Sequence, residues 1–133
     1  MNYEPVYQTL KTKLEALIQN VAVRLPNEPP AKATDCDIDI SVTEVDANFY
    51  TEEENRRDIS IDLLISVPVS TGTERIHNIA SQIVKEFNPL RFGCFWTGQR
   101  EYYVRIQSAG QRRPNITHDF YQVNIRILAI IDI

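Results

Sequence analysis

Two long stretches of strict alternation constrain this chain more than any other feature. From Asp58 to Val69 the odd positions Ile59, Ile61, Leu63, Ile65, Val67 and Val69 are all apolar, while Ser60, Asp62 and Ser66 take the other parity. From Phe120 to Ile133 the odd positions Tyr121, Val123, Ile125, Ile127, Ala129, Ile131 and Ile133 repeat the pattern. Successive side chains of a strand point to opposite faces, so a period of two sets one apolar row against a core and turns the other row outward. Both stretches are roughly twice the usual strand of about five or six residues. They demand a sheet, and a sheet with one apolar face demands a layer to cover it.

Two amphipathic helices can supply that layer. Pro5 suits a first helical turn, and Val6, Leu10, Leu14, Leu17, Ile18 and Val21 follow at three- and four-residue steps. Thr71-Gly-Thr-Glu74 fits a capping box, behind which Ile76, Ile79, Ala80, Ile83, Val84 and Phe87 form a second apolar stripe that Asn88-Pro89 ends. Two further strands are expected, from Asp37 to Val42, where Ile38, Ile40 and Val42 alternate, and from Tyr103 to Ser108. Leu25 to Asp35, with three prolines, reads as a loop. Glu44 to Arg57 has no periodicity and is too long for a simple hairpin, so it predicts a projecting arm or an extended β-ribbon. Leu90 to Tyr102 would cross the domain, and Ala109 to Asp119 would be a second long polar loop. The order α-β-β-α-β-β predicts an α+β fold: a four-stranded, mainly antiparallel sheet with two helices on one face and long projecting loops. With 133 residues, a single domain over 1–133 is expected.

The apolar share of 43% and charged share of 24% are those of a globular protein, and no apolar run has the length of a membrane span. The start, MNYEPVYQ, has neither the basic nor the apolar region of a secretory signal, so cytosolic synthesis and no membrane partner are expected. A net charge of -4 disfavours a general nucleic-acid binder, which needs a basic field. The charge is polarised: residues 1–62 carry thirteen acids against six bases, and residues 63–133 five acids against eight bases. Such a chain can meet its own copies through complementary patches.

Signatures of catalysis are missing. His77 lies beside the apolar stripe of the second helix and reads as a solvated side chain, and His118 sits in a polar loop next to Asp119. Cys36 and Cys94 stand far apart without metal-ligand or disulfide-framework spacing, and both read as reduced thiols. No HExxH, GxSxG, P-loop or GxGxxG pattern occurs. The run Glu52, Glu53, Glu54 would point apart into water rather than gather a cation. The rings of Phe92, Phe95, Trp96, Tyr102 and Tyr103, near Arg91, Arg100 and Arg105, could stack single-stranded bases but read more simply as core closing one end of the sheet. The expectation is a non-enzyme that needs no metal and no cofactor.

The helix VYQTLKTKLEALI followed by RLPNEPP, the strand DISIDLLISVPV leading through TGTERIHNIASQIVKEF, and the closing FYQVNIRILAIIDI together resemble the layout of the tail terminator proteins of long-tailed bacteriophages. The resemblance runs over nearly the whole chain and rests on element order and apolar spacing rather than on one short motif. It implies a structural protein that forms a hexameric ring, caps the growing tail tube, ends its polymerisation and forms the joint to the head. Its partners would be its own copies, the tail tube protein and a head-tail connector protein, with DNA passing through the channel without sequence-specific binding. Its place would be the host cytoplasm during assembly and then the neck of the virion. Head-tail connector and neck proteins of other layers share much of this layout, and a small α+β enzyme or ligand-binding domain is the other alternative.

The candidate assembly residues come from charge. From Glu44 to Arg57 there are five acids against Arg56 and Arg57, and from Arg91 to Arg113 five arginines against one acid. The expected contact is head-to-tail: Glu52, Glu53 and Glu54, with Arg56 and Arg57 at the base of the arm, meet Arg100, Arg112 and Arg113 of the next copy; the alternatives place Arg112 and Arg113 in the channel facing DNA, or leave these charges solvated.

Overall fold

A computed structural model describes residues 2–26, 28, 36–45, 56–89, 93–97, 103–112, 114–116 and 119–132. Helix α1 (Glu4–Leu17) has Pro5 in its first turn and buries Val6, Leu10 and Leu14. It ends where Ile18 turns extended, and Asn20, in the left-handed region at φ 59°, redirects the chain into strand β1 (Ala22–Arg24). Strands β2 (Asp37–Glu44) and β3 (Arg56–Pro68) form an antiparallel pair. A 3-10 turn (Val69–Thr71) leads to helix α2 (Glu74–Glu86), which buries Ile76, Ile79, Ala80 and Ile83. Strands β4 (Cys94–Trp96), β5 (Tyr103–Gln111), β6 (Asn115–Ile116) and β7 (Phe120–Asp132) complete the chain.

The expected four-stranded sheet is corrected to a seven-stranded mixed sheet that curls into a half-barrel, ordered β1-β2-β3-β7-β5-β4, with β6 pairing β7. Its middle is the expected set of four long strands, in the order β2-β3-β7-β5 and all antiparallel. What the alternation missed are β1, β4 and β6, of three, three and two residues, too short to show a period. β1 runs parallel to β2, and residues 25–36 provide the long crossover that a parallel neighbour needs. β5 continues to Gln111 and β6 follows, so Ala109 to Asp119 is not one long loop.

Both helices lie on one face of the sheet, as expected, and share a single core with the alternating rows. Ile38, Ile40 and Val42 of β2, Ile59 to Val67 of β3, Val104 and Ile106 of β5 and Val123 to Ile131 of β7 point into it. Val69 departs from its row: Pro68 ends the strand, and Val69 turns outward in the 3-10 segment with its N–H on the Asp119 carbonyl at 3.0 Å. The capping box also fails. Thr71 belongs to the 3-10 turn, Gly72 takes φ 77°, and α2 begins at Glu74 behind Thr73 with no side-chain cap.

On the other side of the sheet, Arg24 of β1 ties down the parallel edge. Its Nε and Nη2 donate to the Asp39 carboxylate at 2.8 and 3.1 Å, and Nη2 stands 3.6 Å from Asp37 Oδ2. Burial pushes the Asp37 carboxyl above the usual carboxylate range, Arg24 pulls it back, and Asp39 adds repulsion. A carboxyl raised on folding holds a proton that the unfolded chain has released. Its contribution is therefore most favourable below the unfolded pKa, about 4, and is lost as pH rises through the folded value. Asp37→Asn is expected to flatten that part of the stability profile. Arg24→Met should cost about 1 to 2 kcal/mol near neutrality and less at pH 4, where the raised Asp37 carboxyl holds its proton. Urea midpoints from pH 4 to 7 would check both; equal losses for Arg24→Met at the two ends would exclude the coupling.

Candidate functional site

The face of the sheet away from the helices carries no covering layer among the described residues. Its centre is a belt of paired polar groups: Arg126 Nε lies 3.2 Å from Asp62 Oδ1, Gln122 donates to Ser66 at 3.2 Å, and Arg24 grips Asp39. Each of these pairs joins neighbouring strands at matched register, so the belt is built by alternation.

Beyond the belt the surface becomes apolar at both ends. The exposed large apolar side chains among the described residues are Val45, Val69, Trp96, Ile116, Phe120 and Leu128. Trp96, 53% exposed, packs against Tyr103 with ring centroids 4.9 Å apart and ring planes tilted by 55°, and both stand level with Asp132 at the end of β7. Tyr103 also donates its hydroxyl to the exposed Cys94 thiol. Val45 bonds through its N–H to Asp58, which is level with Ile130; Leu128 lies two residues further along the same face. Ile130 is only 4% exposed although it lies outside the main core, so this end has a small apolar centre of its own.

The opposite end gathers the other three. Phe120 opens β7 beside Pro68, Val69 bonds to Asp119, and Ile116 of β6, 67% exposed, sits across from Tyr121 on the parity that faces the helices. β7 spans thirteen residues between the two ends. At about 3.4 Å per residue this puts the poles about 40 Å apart along the strand. Exposed large apolar groups toward both ends of the sheet, with a polar belt between them, suit a protein that meets partners at both ends.

The charge-based candidates fall unevenly on this frame. Glu52, Glu53, Glu54, Arg100 and Arg113 lie outside the described residues, as do His118, Phe92 and Tyr102. Arg56 begins β3 opposite Asp132, at the Trp96 pole. Arg57 stands 3.8 Å from Glu44, which also accepts the Tyr3 hydroxyl, so the base of the arm is tied to the first turn of α1. Arg112 follows β5 with an exposed side chain, its N–H donating to the Asn124 carbonyl at 2.8 Å. Asn124 and Asp132 are eight residues apart on β7, about 27 Å, so one subunit does not bring Arg112 to Arg56 and Arg57.

The aromatic group was expected to be core, and only part of it is. Phe95 is buried, Trp96 points out and Tyr103 is half-buried, because adjacent residues of β4 alternate faces. Alternation could have flagged Leu128 and Ile130, the apolar residues on the otherwise polar parity of the last strand. His77 is exposed on α2, as expected. Among the described residues no group of three or more His, Cys, Asp or Glu is placed to hold a metal ion.

No family profile matches the chain, and no curated protein matches it. Among solved structures, one chain of uninformative name aligns over 100% of this protein and 97% of itself, with a TM-score of 0.73 at 11% identity. That likeness establishes a shared fold and nothing about activity.

Proposed function

We propose that this chain is a tail-terminator-type assembly protein. It closes into a hexameric ring, caps the end of a phage tail tube, stops polymerisation and offers its other side to the head-tail connector. It acts by binding alone, with no bond made or broken and no cofactor, while DNA passes through the channel without being read. The observation that carries this role is the bipolar surface: Trp96, Val45 and Leu128 toward one end of the sheet, Phe120, Ile116 and Val69 at the other. A terminator has to bind two different neighbours along one axis, and opposed apolar poles provide one surface for each. The polarised charge supports a head-to-tail contact between copies, since unlike patches meet in an interface whose rotation closes a ring.

The test is tube length. Purified protein added to polymerising tail tube subunits should shorten and cap the tubes seen by electron microscopy, one ring per capped end. Tubes that grow to the same length with and without it would exclude the capping role. Binding to a connector ring but not to tubes would assign the chain to another neck layer.

A further inference from the structure

The two edges of the long-stranded sheet differ. Backbone groups of β2 that face away from β3 belong to its even residues. Over its first half they pair with β1. At Val42 they are taken by the Tyr7 hydroxyl of α1, which accepts from the Val42 N–H at 2.8 Å. The β5 edge is open among the described residues. β4 covers only Tyr103 to Arg105, and the Ile106 N–H reaches Gly93 at 2.8 Å. Beyond that, β5 shifts its register on β7 between Ile106 and Ser108. Arg112 bonds to Asn124, so by alternation Gly110 and Ser108 face β7, whereas the N–H and C=O groups of Ala109 and Gln111 point out of the sheet. Among the described residues nothing meets them. Gln107, Ser108, Gly110 and Gln111 are exposed, and a Cβ on Gly110 would stand in open space.

Proteins guard such edges with charge, proline or a covering element. Gln107 to Gln111 has no charge or proline and, among the described residues, no covering element, while arginines flank it at Arg105 and Arg112. We propose that this edge is the receptor for the arm of a neighbouring copy, whose residues 47–51 add to β5 as a further strand; the proposal rests on the ring-forming role above. Ala47-Asn-Phe-Tyr-Thr51 matches the edge in length, contains the strand-favouring Phe, Tyr and Thr, and has no glycine or proline. Asp46 precedes it and Glu52, Glu53 and Glu54 follow, so acids reach both arginine flanks whichever way the strand runs.

Proline at an outward-facing edge position removes a donor to the neighbour and none to the sheet itself. Ala109→Pro and Gln111→Pro should therefore fold like the parent, by circular dichroism and thermal midpoint, yet associate roughly tenfold more weakly or worse in sedimentation. A chain with Glu52, Glu53 and Glu54 changed to lysine should be monomeric too. Mixed one to one with Ala109→Pro, it should stop at a heterodimer, since the pair retains one intact arm and one intact edge. A parent that stays monomeric, proline variants that both assemble like the parent, or a mixture with no heterodimer would each overturn the proposal. If the parent limits tube length and the proline variants assemble normally, the edge contact is wrong and the capping role stands. If the proline variants lose assembly and the parent never limits tubes, the edge contact stands and the capping role is wrong.

Discussion

Leu63→Ala is expected to cost about 3 to 5 kcal/mol, because a fully enclosed leucine leaves both its transfer energy and a cavity behind. Leu63 is 0% exposed, paired with Ile40 of β2 on one side and Ile125 of β7 on the other, beneath both helices. The central strands cannot move together to fill the space, since β3 is held to β7 through thirteen residue pairs. Its chain neighbour provides the control. Leu64 lies on the open face between Asp39 and Asn124 and is half-buried, so Leu64→Ala should cost less than about 1.5 kcal/mol. Denaturant midpoints at constant slope would measure the two losses. Equal losses would mean that the faces of β3 are assigned one residue out of step, which reverses every side chain on it.

The other large effect is expected at the poles, in assembly rather than stability. Trp96→Asp and Phe120→Asp each replace an exposed aromatic at one end of the sheet with a charge. Aromatic anchors at the centre of an interface commonly contribute about 2 kcal/mol or more, roughly thirtyfold in affinity. Trp96 is 53% exposed and Phe120 40%, so the free subunit should lose little stability from either change. Under the capping role the two variants should fail differently. One should leave tubes uncapped, and the other should cap tubes that no longer join a head. Variants that failed identically at the same step would mean that the poles do not serve two partners, and the bipolar surface would then have another use.

The proposed contact between copies joins a part that was legible in the sequence to a part that was not. The charge asymmetry between the arm and the late arginines can be counted without a structure, and it suggested that copies meet head to tail. That the receiving surface is a backbone edge could not be counted. It depends on β4 being too short to cover β5, on Tyr7 reaching Val42 from a helix thirty-five residues away, and on the bulge beside Gln107. None of these leaves a periodic trace.

Periodicity by itself determined the parts of this protein whose chemistry is local. The rows Ile59 to Val67 and Tyr121 to Ile131, and the stripe Val6, Leu10, Leu14, face the core as alternation and helical spacing require, because burial acts on every repeat of the period and a long element repeats it many times. Only the tertiary structure decided the rest. β1, β4 and β6 exist because a neighbouring backbone offers hydrogen bonds, whatever their own two or three residues prefer, and the parallel placement of β1 adds the Arg24 ion pairs with Asp37 and Asp39. Val69 lost its place in the apolar row to a turn set by Pro68, and Trp96 was turned outward by one step of pleat. These outcomes depend on pairings between residues far apart in the chain, whose free energy belongs to the assembled sheet and to no segment alone.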